Sequence, residues 1–64
     1  ILNVYISKPI QYINVVDITG KQILHLGDIH EKSIQLQTSD LKGIYILQIE
    51  LENGKQLRSK FIAN

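Results

Sequence analysis

The sequence predicts a small all-β domain of antiparallel strands, on three observations. Apolar and polar residues alternate along most of the chain, Gly, Asp and Asn mark the interruptions, and no stretch carries a helical period. The 64 residues make a single domain, 1–64. A chain this short buries only about 60% of the surface its unfolded form exposes. It contains no Cys, so disulfides are excluded and burial of the 44% hydrophobic residues must carry the fold.

Taken in order, Leu2, Val4 and Ile6 alternate with Asn3, Tyr5 and Ser7 as a half-buried strand. Lys8-Pro9 is expected to end it, because Pro donates nothing to a sheet ladder. Residues 12–17 form the next run, with Ile13 and Val15 on one face and Tyr12, Asn14 and Val16 on the other. Asp17-Ile18-Thr19-Gly20-Lys21 reads as a turn, since Asp bonds the backbone that follows it and Gly accepts positive φ. A strand over residues 22–26 closes at Gly27-Asp28, and polar residues 29–32 form a loop. Residues 33–37 alternate again as a short strand.

Thr38 to Gly43 is a turn-forming stretch with room for one helical turn. In it Leu41 plugs the end of the core and Gly43 reverses the chain. The longest run, 44–52, sends Tyr45, Leu47, Ile49 and Leu51 to one side, and Ile44, Ile46, Gln48 and Glu50 to the other. Asn53-Gly54 then predicts a two-residue type I′ hairpin turn. In the returning strand, 55–62, Leu57, Ser59 and Phe61 alternate with Arg58, Lys60 and Ile62. Six short strands at this spacing predict a compact sandwich or a curled sheet.

The composition argues against chemistry. Without Cys there is no thiol nucleophile, thiolate metal site or redox motif. Seven Lys/Arg against six Asp/Glu give a net charge of +1, and no basic run suggests a nucleic-acid or anionic-lipid footprint. No segment approaches the roughly 20 apolar residues of a transmembrane helix. His25 and His30, near Asp28 and Glu31, lack a recognised ligand spacing, so neither a metal nor a cofactor is expected. Asp17, Asp28, Glu31, Asp40, Glu50 and Glu52 suit turns and solvated faces better than a catalytic pair, which needs burial or a like-charge neighbour. No serine lies in a nucleophile elbow, and the dispersed glycines cannot cradle a phosphate. The expectation is a non-enzymatic domain. A rival class, an adhesion or carbohydrate-binding accessory module, would need an aromatic platform that Tyr5 and Tyr45 could begin.

Three landmarks occur in a telling order. Val15-Val16-Asp17-Ile18-Thr19-Gly20-Lys21 is a hydrophobic–Asp–hydrophobic–Thr-Gly-Lys turn. Leu41-Lys42-Gly43-Ile44-Tyr45-Ile46 follows, and then Glu52-Asn53-Gly54-Lys55 with Lys60-Phe61-Ile62 at the basic–hydrophobic end. Together they make the chain resemble the C-terminal sorting domain of the Bacteroidetes type IX (Por) secretion system, from Leu2 onward. The family commonly opens with a Pro-Asn-Pro element and a first strand, for which Pro9 is no counterpart. The chain starts at Ile1 on a strand-like run, which reads as a piece excised from a larger secreted protein and lacking its first strand. An uncovered sheet edge would invite an edge-strand dimer.

The resemblance implies a small immunoglobulin-like antiparallel β-sandwich of six to seven short strands and a role as a secretion address. An upstream cargo in the same chain would be carried through the periplasm to the cell surface or extracellular space. Its partners would be the type IX machinery at the outer membrane and a sortase-like protease that removes the domain. The expected recognition residues are Lys60, Phe61, Ile62, Ala63 and Asn64, a terminal strand free to be presented. The motif and turn residues are Asp17, Thr19, Gly20, Lys21, Leu41, Gly43, Tyr45, Asn53 and Gly54.

Overall fold

One long strand organises the chain. In the computed structural model, which describes residues 1–63, β1 (Leu2–Asp17) runs for 16 residues. It is followed by β2 (Gln22–Leu26), β3 (Glu31–Leu36), β4 (Gly43–Leu51) and β5 (Gln56–Ala63). The described residues are all-β, without a helix, and every strand pairing is antiparallel. The sheet order is β2-β1-β4-β5, with β3 also paired to β1. Ile10 faces both Glu31 of β3 and Leu51 of β4, so these strands flank β1 on opposite sides. β2 and β3 therefore follow one another along the same side of β1.

Five strands replace the six expected, because β1 continues through Pro9. The reason is local. Residues 6–9 have no register partner on either side, and pairing with β3 stops at Tyr5 and resumes at Ile10. A residue that cannot donate costs the ladder nothing there. The Pro9 carbonyl is used, accepting a hydrogen bond from the Glu52 N–H at 3.0 Å. A second irregularity lies between Ile10 and Tyr12. One extra residue switches which parity points inward, so Val4 and Ile10 share the core with Ile13 and Val15.

The core joins both halves of β1. Val4, Ile10, Ile13 and Val15 pack with Leu36 of β3 and with Leu47, Ile49 and Leu51 of β4. Leu24, Leu26, Tyr45, Leu57 and Phe61 cover its margins. The alternation expected for β4 and β5 is thus observed. No polar or charged side chain is buried among the described residues. Burial of each Ile or Leu at the centre stabilises the fold by about 1.5–3 kcal/mol.

The loops differ from expectation in two places. The Asn53-Gly54 turn is not type I′, which needs positive φ at both central residues. Gly54 has φ +89°, whereas Asn53 does not fall among the positive-φ residues. Instead Gly54 N–H donates to Leu51 O at 2.9 Å, and Leu51 N–H to Lys55 O at 2.8 Å. That is a three-residue loop, a tight turn completed by a left-handed glycine. The Asp17–Lys21 turn has the same construction, with Gly20 N–H on Asp17 O at 3.0 Å and Asp17 N–H on Lys21 O at 2.9 Å.

The second difference is that β3 starts at Glu31 rather than Ser33, because Glu31 can still pair with Ile10. The connection before it is tight, with Asp28 and His30 at φ 50° and 55°. Ile29 N–H donates to Gln11 O at 3.2 Å, and His30 N–H to Ile10 O at 2.7 Å, which offsets the backbone strain. Residues 38–43 hold a turn closed by Leu41 N–H on Thr38 O at 3.0 Å, and no helical turn. Leu41 packs against the core as expected.

Candidate functional site

The first motif is a turn locked by one carboxylate. Asp17 Oδ1 accepts from the Thr19 N–H at 2.9 Å, the Thr19 hydroxyl at 2.6 Å and the Lys21 N–H at 2.9 Å. Each bond favours the charged form. The Thr19 hydroxyl, the Lys21 and Thr19 amides and the Lys21 charge hold the Asp17 carboxyl below its usual range, the hydroxyl contributing most. Asp17, Thr19 and Gly20 therefore act as a rigid corner, and the Lys21 side chain projects into solvent.

In the second motif the tyrosine is the fastener. The Tyr45 hydroxyl donates to Lys42 O at 3.1 Å and accepts from Lys42 N–H at 3.3 Å. It pins the loop that Leu41 anchors and that Gly43 turns at φ +115°. The Tyr45 ring stacks on Phe61, with centroids 5.8 Å apart and planes at 27°.

Register brings two of the three motifs together with the chain's last strand. Asp17 lies opposite Tyr45, and Tyr45 opposite Phe61. The Thr-Gly-Lys turn, the Leu41 to Tyr45 loop and the end of β5 thus share one end of the sheet. Asn53 and Gly54 lie at the other end, where Asn53 Oδ1 accepts from Lys55 N–H at 2.9 Å. Glu52, beside them, pairs with His30 Nδ1 at 2.7 Å, a contact between two loops that the sequence did not signal. Nothing in residue type or spacing announces such a pair, because the turns and the β1 irregularities alone create it.

The five residues expected to be recognised divide by face. Lys60 is exposed and Ile62 is 66% exposed, whereas Phe61 is half-buried and Ala63 buried. Asn64 lies outside the described residues. The outward face of β5 thus carries Arg58, Lys60 and Ile62, and the inward face Leu57, Phe61 and Ala63.

Tyr5 is 80% exposed at the far half of β1, while Tyr45 stacks half-buried on Phe61, so the two tyrosines form no common platform. On the outer face Tyr12 lies 5.6 Å from the His25 ring, and His25 Nδ1 bonds Asn14 Oδ1. Glu50 Oε1 accepts from Gln56 Nε2 at 3.0 Å and from the Tyr12 hydroxyl at 3.5 Å. Among the described residues no group of three His, Cys, Asp or Glu converges as a metal site.

What the three motifs share is structural: each closes a turn or fastens a strand end. A family model described as the secretion system C-terminal sorting domain matches residues 1–64. The chain belongs to this family. No curated protein and no solved structure matches it. The sorting domain is a type IX secretion signal, which directs an attached cargo toward the cell surface or extracellular space. Its family is one of sorting signals, not of catalysts.

Proposed function

We propose that the secretion machinery reads this sorting domain through its last hairpin, β4–β5, and chiefly through the outward side of β5. One observation carries this reading. Among the described residues β5 approaches no strand but β4, so its other edge is unpaired there, and Lys60 and Ile62 stand exposed beside that edge. An extended segment of a receptor can add to such an edge, backbone bonds giving affinity and alternate side chains specificity. Phe61 and Ala63 hold the strand to the core.

Several finer points belong to the same reading. The domain passes through the periplasm on its way out, and a sortase-like protease removes it after passage. The two halves of β1, with different neighbours and one shared core, support an immunoglobulin-like sandwich, in which a further strand would cover β1. Leu2 to Tyr5 pairs only with β3, and that open side is where an edge-strand dimer would form.

The test separates recognition from folding. Lys60→Ala changes an exposed side chain and should leave stability within about 0.5 kcal/mol. In the full precursor it should nevertheless reduce cargo export, and deletion of residues 60–64 should abolish it. Undiminished export after the deletion would refute the reading.

A further inference from the structure

The outward face of β5 carries two cations with nothing to balance them. Arg58 and Lys60 are two positions apart on one face of an edge strand, and both are exposed. Their cross-strand neighbours on β4 are Gln48 and Ile46, both uncharged. The nearest acid along that face of β4, Glu50, is engaged by Gln56 and Tyr12. Among the described residues neither cation has an ion-pair partner. Next along the strand, exposed Ile62 lies opposite exposed Ile44, an apolar step beside the two charges.

This pattern discriminates between occupants. A second copy pairing antiparallel along β5 in the register centred on Ser59, with both cores on the same side, would set its Lys60 and Arg58 opposite this Arg58 and Lys60. Like charges directly opposite one another destabilise a strand pair, and edge cations are a device by which natural sheets resist self-association. A strand with acidic residues at alternate positions meets the opposite condition: its side chains reach Arg58 and Lys60 while its backbone fills the open edge.

We propose that the free edge of β5 receives an extended receptor strand bearing Asp or Glu at two alternate positions, opposite Arg58 and Lys60, with an apolar residue at the Ile62 step. This rests on the reading of β5 as the presented strand and adds the chemistry of its partner.

Two measurements decide it. In the cargo-bearing precursor, Arg58→Glu with Lys60→Glu should block export without lowering the thermal midpoint, while Arg58→Lys with Lys60→Arg should export normally. Should the double Glu variant fail to fold, Arg58→Gln with Lys60→Gln removes the charge without reversing it and should also block export. In a binding titration, a synthetic Val-Thr-Glu-Thr-Glu-Thr-Val peptide should bind at least about tenfold more tightly than its Gln-for-Glu counterpart, with the preference fading at high salt.

Normal export of the folded charge-reversed precursor, alongside blocked export on deletion of residues 60–64, would overturn the acidic-strand proposal and remove Lys60 from the recognised surface, leaving only the backbone edge of β5 in the reading. Arg58 and Lys60 would then be guards against self-association only. Equal binding of the two peptides, or a dimer in sedimentation that forms through β5, would also overturn it. Export that survives the deletion would overturn the β5 reading itself.

Discussion

Tyr45 lies directly opposite Phe61 across β4 and β5, their ring centroids 5.8 Å apart, and the same tyrosine fastens both backbone groups of Lys42. One side chain therefore ties the loop entering β4 to the strand that ends the described chain. The hydroxyl serves the loop and the ring serves the strand, so the two contributions can be measured apart.

Tyr45→Phe keeps the ring stacking and removes the two hydroxyl contacts. It should cost about 1 kcal/mol, the usual net worth of such hydrogen bonding. Phe61→Ala should cost more, about 2–3 kcal/mol, below the range for a fully buried Phe because this one is half-buried. A double-mutant cycle of Tyr45→Ala and Phe61→Ala, followed by urea denaturation, should give a coupling of about 0.5–1.5 kcal/mol. A coupling near zero would mean that the rings merely sit side by side.

Asp17 should make stability depend on acid. Its carboxyl is held below the usual Asp value of 3.8, chiefly by the Thr19 hydroxyl. A group with a depressed native pKa stabilises the fold above its unfolded value, and that contribution disappears as pH falls through the native value. The Asp17→Asn variant should therefore melt below the parent at neutral pH. The gap should begin to close near pH 3.8 and shrink further with added acid. Thr19→Val, which removes the main cause of the shift, should narrow the gap in the same direction. A difference in melting temperature that stays constant from pH 7 to pH 2 would contradict this account.

The two glycine-closed loops should respond alike to substitution. Gly20 and Gly54 have φ of +91° and +89°, and a Cβ at either would meet nothing within 4 Å. The cost of Ala there is then purely backbone strain, about 1–2 kcal/mol at each site. Gly27 is the control, because it lacks positive φ and an added Cβ would make only an ordinary 3.5 Å contact with His25. Gly27→Ala should be nearly neutral in the same denaturation series.

Much of this architecture was legible because strand alternation reports local packing. The inward set Tyr45, Leu47, Ile49 and Leu51 follows from a period of two alone. The Asp17 to Lys21 corner follows from residue types that bond their own backbone. Other features depend on partners that no local pattern can specify. Asn53-Gly54 is compatible with more than one loop length, and the register between Leu51 and Lys55 selects the three-residue form. The meeting of Asp17, Tyr45 and Phe61 in one row required the strand order as well as the strands. At the proposed recognition surface, charge was visible in Arg58 and Lys60, but the openness of the β5 edge was not. That openness depends on which strand ends the sheet.

Pro9 is the position where local reasoning about breaking a strand and the observed continuity of β1 can be set against each other. If the strand passes Pro9 because residues 6–9 have no partner to satisfy, then restoring an N–H there gains no ladder bond. What changes instead is the unfolded chain, which becomes more flexible when the ring is removed. Pro9→Ala should therefore destabilise the domain by about 0.4–1 kcal/mol, the typical effect of losing a well-accommodated proline. The Pro9 carbonyl would still accept from Glu52, so the β4–β5 loop should keep its attachment to β1. The check is urea denaturation combined with amide exchange at Glu52 and at the new residue 9. Loss of stability with a rapidly exchanging amide at position 9 supports an unpartnered segment. A gain in stability with a protected amide would mean that the N–H had found a partner, and that the proline had been interrupting a ladder after all.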